Sequence, residues 1–164
     1  MTGRGWAWLA VFVLAVAAAA LIGSLATTAH VDGWYADAPK PPWTPPNWLF
    51  APMWSVLYLG MAVAGWHVWR STDRRRRAAL ALFWTQLGLN ALWTPIFFAG
   101  YPVWGPAALW IAAGVIVALD AVVAACAIVF RGIDRFAAWV MVVYLAWLLY
   151  ATSLNVGVAA LGGR

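Results

Sequence analysis

Long apolar runs, not alternating positions, organise this chain. Between charged or Pro/Gly-rich breaks, five of them stand out, at about residues 6–26, 48–69, 78–99, 104–130 and 136–160. A helix needs about 20 mostly apolar residues to cross a bilayer core, whereas membrane β-strands alternate with period two. The pattern therefore predicts an all-α membrane protein. It is expected to be a five-transmembrane-helix bundle, residues 1–164 forming a single domain with no space for a soluble one. The first run follows Arg4 and ends near Ala26-Thr27-Thr28-Ala29, which resembles a secretory signal. Signal cores run about 7–15 residues. This run is longer and reads as a retained helix.

Within the runs, the polar positions fall on stripes. Gln86, Asn90, Trp93 and Phe97 share one helical face by the three-and-four spacing, and so do Tyr144, Trp147, Ala151 and Asn155. Amides inside lipid need partners, so both stripes should face the bundle interior. Trp54 and Tyr58 lie four apart on the second helix. Ahead of that helix, residues 27–47 form the one long loop, and residues 40–58 read KPPWTPPNWLFAPMWSVLY. Proline fixes φ and lacks an N–H, so this loop neither pairs as a central strand nor continues a helix. It should be a stiff aromatic lid, with Asn47 capping the next helix and Pro52 in its first turn.

Composition agrees with a membrane setting. The chain is 66% hydrophobic and 9% charged, against roughly half and a quarter in soluble domains. Charge adds sidedness. With five crossings, Arg4, Arg70, Arg74 to Arg77, Arg131 and Arg135 share one side, leaving Lys40 and Arg164 on the other. The positive-inside rule then places the N-terminus inside and the first loop outside. The arginine run is short and lies against two spans, so it reads as a lipid-facing loop, with no nucleic-acid partner expected. Cys126 is the only cysteine, His30 and His67 are far apart, and glutamate is missing. No metal site and no cofactor are expected.

On this topology Trp54, Tyr58, Asn90, Trp93, Trp147, Ala151 and Asn155 meet at one depth beneath the proline loop. Aromatic walls with few polar groups make up a ligand pocket. Tryptophan is also enriched at membrane interfaces, and Trp6, Trp8, Trp66, Trp69, Trp104 and Trp139 read as such belt residues. Asn90 fits a ligand contact and a purely structural interhelical bond equally well. Asp120, an acid within a span, is expected in the inner half, paired with His67 or Arg70.

The chain resembles the translocator protein family (TspO/MBR, tryptophan-rich sensory proteins and peripheral benzodiazepine receptors). The resemblance rests on Trp34-Tyr35; Lys40-Pro41, Trp43, Pro45-Pro46, Trp48, Pro52, Trp54 and Leu57-Tyr58; Gln86-Leu87, Leu89-Asn90, Leu92-Trp93, Pro95 and Phe97-Phe98; and Tyr144 to Trp147, Ala151-Thr152 and Leu154-Asn155. It implies a bacterial member and a five-helix bundle, commonly a homodimer, while the arginine bias favours a cytoplasmic membrane. It also implies a pocket for porphyrins and similar hydrophobic small molecules, bound by Trp34, Tyr35, Trp54, Tyr58, Asn90, Trp93, Trp147 and Ala151. A receptor or carrier role follows. The alternative is an enzyme promoting light-dependent protoporphyrin breakdown, although the residues offer no acid–base or nucleophile constellation. Animal members carry a tyrosine soon after the Leu-Asn pair, in a cholesterol-recognition segment. Here Val156-Gly157-Val158-Ala159 follows instead.

Overall fold

The computed structural model describes residues 3–162, and side chains from residue 5 onward. Arg164 and the side chain of Arg4, both counted in the charge argument, lie outside what is described. The elements are α1 (Gly3–Thr28), the short α2 (Trp34–Asp37), a 3-10 turn (Asn47–Leu49), α3 (Phe50–Arg70), α4 (Arg76–Phe98), the short α5 (Tyr101–Trp104), α6 (Pro106–Arg131) and α7 (Arg135–Gly162). Each long helix grows from one of the apolar runs. Their breaks are local: Gly105 sits at φ 58° between α5 and α6, a left-handed conformation that glycine adopts without Cβ strain. Asn47 does not cap α3 with its side chain, because a 3-10 turn intervenes. Pro52 does fall in the first turn of α3, where a missing N–H is tolerated.

The expectation of five transmembrane helices is corrected. Four helices are long and apolar enough to cross a membrane: Gly5–Thr28, Asn47–Arg70, Pro106–Arg131 and Arg135–Gly162. They make the chain a multi-pass integral membrane protein. Helix α4 is long enough but too polar. It opens with Arg76 and Arg77 and carries Thr85, Gln86, Asn90, Thr94 and Pro95. It is held instead by its neighbours, which bury Ala79, Phe83, Gln86, Leu87, Asn90, Trp93 and Phe97.

The long helices pack in the cyclic order α1, α3, α7, α6, α4 and back to α1. Apolar and aromatic side chains fill the ring. Phe12 of α1 meets Phe83 of α4 edge-on at 5.3 Å, and Met61, Ile116, Leu119, Met141 and Leu148 are fully buried beside them. At one end lie Arg70, the 71–75 loop and the 132–134 turn. These two loops touch, because Arg75 donates from Nη2 to the Gly132 carbonyl at 2.5 Å. The start of α1 joins them: Trp66 donates from Nε1 to the Gly5 carbonyl at 2.9 Å. Trp66 is therefore a buried tether, 8% exposed, and not the belt residue expected. Lys40 lies in the 27–47 loop, whose Trp34 and Tyr35 pack on Phe98, at the C-terminal end of α4 and away from its arginine end.

Asp134 joins helices at the arginine end. Its Oδ1 accepts from the Ala137 amide at 2.8 Å, capping α7, and its Oδ2 meets His67 Nδ1 at 2.8 Å. Burial pushes this carboxyl up, but the Ala137 amide and then His67 outweigh it, and the net shift is downward. A depressed carboxylate contributes stability that is present above its unfolded value and lost as pH falls through the folded one. Asp134→Asn keeps a capping oxygen but loses the charge at the start of α7, and should thus cost roughly 0.3–1 kcal/mol at neutral pH. The difference from wild type should shrink under acid. Thermal unfolding at pH 7 and below pH 4 checks this; a pH-independent difference refutes it.

Candidate aromatic site within the helix ring

Three helices project polar aromatic groups into the middle of the ring. From α3, Trp54 packs on Tyr58 at 5.6 Å, on Trp93 of α4 at 6.1 Å and on Tyr144 of α7 at 6.2 Å. Tyr58 donates to Asn90 Oδ1 at 2.5 Å, and Asn90 donates from Nδ2 to the Tyr144 hydroxyl at 2.7 Å. One amide thus ties α3, α4 and α7 across the ring. Trp93 donates to Asn155 Oδ1 at 2.9 Å, and Asn155 donates onward to the Leu109 carbonyl at 2.9 Å, drawing in α6. The amides expected to face inward are 0–1% exposed: Gln86 0%, Asn90 1% and Asn155 1%. The partners of Asn90 and Asn155 explain why these two amides are tolerated.

Above this cluster lies the proline loop. Trp34 stacks on Tyr101 at 4.0 Å and donates to the Phe98 carbonyl at 2.9 Å. Tyr35 is buried against Phe97 and Phe98, with Lys40 Nζ 4.8 Å from its ring centroid. Burial pushes the Tyr35 phenol up, so it stays neutral. On the opposite edge, Tyr150 donates to the Trp43 carbonyl at 2.7 Å, and Trp43 donates to Ser153 Oγ at 3.2 Å. Pro41 fits so closely over Gly157 that a Cβ there would come within 2.2 Å of its ring. The lid is therefore fastened to both α4 and α7.

The structure brings Trp54, Tyr58, Asn90 and Trp93 into one cluster, and adds Tyr144, which the helical stripe contained but which had no assigned role. Trp34 and Tyr35 form a second group in the lid. Trp147 stands apart from the cluster: it packs on Phe50 at 6.0 Å and Tyr150 at 5.5 Å. Phe50 lies one turn before Trp54, so Trp147 still approaches the same end of α3. Its indole nitrogen is buried with no partner among the described residues, and the same holds for both polar atoms of Gln86. Ala151, one turn along from Trp147, is buried.

Asp120 does not pair with His67 or Arg70. Thr152 of α7 donates to its Oδ2 at 2.8 Å, while His67 is taken by Asp134. Thr152 adjoins Ala151, so Asp120 sits behind the α7 wall of the site and not at the arginine end. The expected place in the inner half, away from the site, is thus corrected together with the expected partner, because helix crossing set both.

Comparison with known proteins agrees with this arrangement. Residues 11–161 match the TspO/MBR family. The chain is 38% identical over 143 residues to the tryptophan-rich protein TspO of Archaeoglobus fulgidus, covering 87% of this chain and 89% of that one. It is 35% identical over 150 residues to the tryptophan-rich sensory protein of Cereibacter sphaeroides, covering 92% and 88%. With the translocator protein of Ovis aries it shares 34% identity over 141 residues, covering 81% and 79%. With nearly its whole length matched, and with the tryptophan cluster and aromatic lid in place, this chain belongs to the TspO/MBR family.

Proposed function

We propose that the protein is a membrane receptor or carrier that holds porphyrins and similar flat apolar molecules between the aromatic cluster and the lid. The observation that carries this reading is the convergence of Trp54, Tyr58, Trp93 and Tyr144 from three helices. Aromatic faces with a few placed polar groups suit a flat, largely apolar ligand. The buried, unpartnered Trp147 nitrogen offers such a ligand one hydrogen bond, since a buried donor left unmade is costly. Trp34, Tyr35 and Ala151 complete the walls in this reading, and Asn90 orients the two tyrosines. A sensory role agrees with the name of the Cereibacter sphaeroides relative.

The test is a titration of purified protein with protoporphyrin IX, read by quenching of indole fluorescence in the dark. Saturable quenching at one site per chain supports the receptor. No quenching overturns it. The same sample under illumination separates the enzymatic alternative: porphyrin loss that depends on Trp54 and Trp147 would favour breakdown over carriage.

Orientation follows from charge. The end bearing Arg70, Arg74 to Arg77, Arg131 and Arg135 is proposed to face the cytoplasm of a bacterial cell, with the proline loop outside. Thr72→Cys places an exposed thiol at the arginine end, while the native Cys126 is buried. An impermeant maleimide should label this variant in broken cells only. Labelling of intact cells contradicts the orientation.

A homodimer through α4 completes the proposal. The outward face of α4 presents Ala81, Trp84, Thr85, Gly88 and Leu92, and a Cβ at Gly88 meets nothing within 4 Å. Small residues let helices approach closely in lipid, and a partner there would cover the least apolar long helix. Gly88→Leu should convert a crosslinkable dimer to monomer. Gly114 on α6 is equally open; if Gly114→Leu alone breaks the dimer, the interface lies on α6.

A further inference from the structure

The arginine end carries a basic groove, apart from the aromatic cluster. Between the end of α3 and the start of α4 lies an open groove of about 430 Å³, lined by Thr72, Asp73, Arg74, Arg76 and Arg77. The four consecutive arginines do not behave alike. Arg75 turns away, gripping Asp73 through Nε at 3.0 Å and Nη2 at 2.8 Å and reaching the Gly132 carbonyl. Arg76 is steadied by the Ser71 carbonyl at 3.2 Å. Arg74 and Arg77 are exposed and make no hydrogen bond or ion pair among the described residues.

Asp73 is the one acid in the groove, and it is already neutralised. Arg75 holds its carboxyl down to about 2 by side-chain and then backbone hydrogen bonds. Asp73 thus gives its side-chain ion pair to Arg75, and Arg74, Arg76 and Arg77 leave the groove with a net positive charge. The groove also opens onto the first turn of α4, the positive end of that helix dipole. Arginine presents a planar fork of donors that matches phosphate oxygens. The depth of the groove is marked by aromatic rings. Trp8 stacks on Trp69 at 5.0 Å, and Trp69 is the next-to-last residue of α3. Paired indoles at a helix end sit at headgroup level.

The geometry points to a binding site for the phosphate of an anionic phospholipid headgroup, held by Arg74 and Arg77 with Arg76 beneath. A general attraction of basic loops to acidic membranes would involve every arginine at this end. The groove involves three, and it excludes Arg75, which is committed to Asp73 and Gly132. It also excludes Arg131, which closes α6 outside the groove lining.

The test uses the full chain in a neutral detergent, titrated with phosphatidylglycerol or phosphatidylcholine and read by native mass spectrometry. Wild type should bind phosphatidylglycerol in preference. Each basic residue near a lipid surface contributes a factor of about five in affinity. Arg74→Gln/Arg77→Gln should therefore lose more than about tenfold, while Arg131→Gln should change it little. Both groove arginines are exposed, and unchanged thermal unfolding confirms that the variants keep their fold. Loss as large in Arg131→Gln would mean diffuse charge, and the site would be refuted. Equal binding of the two lipids would refute it as well. Inorganic phosphate in a third arm separates the sources. If millimolar phosphate displaces the lipid, the occupant is a free phosphate and the lipid assignment fails; persistence of the lipid supports it.

Discussion

Trp54→Ala and Trp147→Ala should each lower protoporphyrin affinity about tenfold or more. An aromatic contact is worth roughly 0.5–1.5 kcal/mol beyond its buried area, and truncation to alanine also opens a void. The two losses should differ in kind. Trp54 supports Tyr58, Trp93 and Tyr144, so its removal loosens a wall that three helices share. Trp147 contacts Phe50 and Tyr150 and leaves its nitrogen free. Trp147→Phe should accordingly keep the stacking face yet lose the hydrogen bond. Trp6→Ala is the control. Trp6 is 56% exposed and stacks on Trp66 at the arginine end, so its loss should leave affinity unchanged. Equal losses at all three positions would mean that tryptophans act only through bundle stability, and the proposed pocket would be abandoned.

Gly65→Leu should be among the most destabilising single substitutions in the chain. Gly65 is buried in α3, where a Cβ would come within 2.8 Å of the Phe12 ring and 2.9 Å of Phe83. Those rings belong to α1 and α4, so the strain would spread through three helices. Overpacking a tight core costs about 1–3 kcal/mol and occasionally more. Gly114→Ala is the contrast: nothing lies within 4 Å of its Cβ, and alanine is favoured over glycine in a helix by roughly 0.5–1 kcal/mol. Thermal unfolding in one detergent should thus move down for the first and up for the second. A Gly65→Leu protein as stable as wild type would disprove the α1–α3–α4 junction as described.

The approximate position of every long helix was legible in the sequence, because burial in lipid or in a helix core demands continuous apolar runs, although α1 and α7 extend past the expected bounds. The inward stripes were legible too. Three-and-four spacing put Asn90 beside Trp93 and Tyr144 beside Trp147, and polar groups in an apolar setting must turn toward partners. The number of membrane spans was not read correctly. Counting breaks treats α4 as equal to its neighbours, yet Arg76, Arg77, Gln86, Asn90 and Pro95 make it more polar than the four helices apolar enough to cross a membrane. Its retention depends on contacts that periodicity does not contain.

Tertiary structure alone decided which stripes meet. The cyclic order α1, α3, α7, α6, α4 is a property of ridges and grooves on whole helices. No single helix encodes it in its spacing. That order joined Asn90 to Tyr58 and Tyr144 at once, gave Asp120 to Thr152 and His67 to Asp134, and buried Trp66 on the Gly5 carbonyl. It also set Trp147 apart from Trp54, though both lie on inward faces. The sequence by itself determined an all-helical membrane chain with its aromatic and amide residues turned inward, because local spacing and hydrophobicity suffice for that. Partner choice belonged to the fold, because a hydrogen bond across a bundle depends on helix rotation, crossing and offset, which only the packing of all the helices together sets.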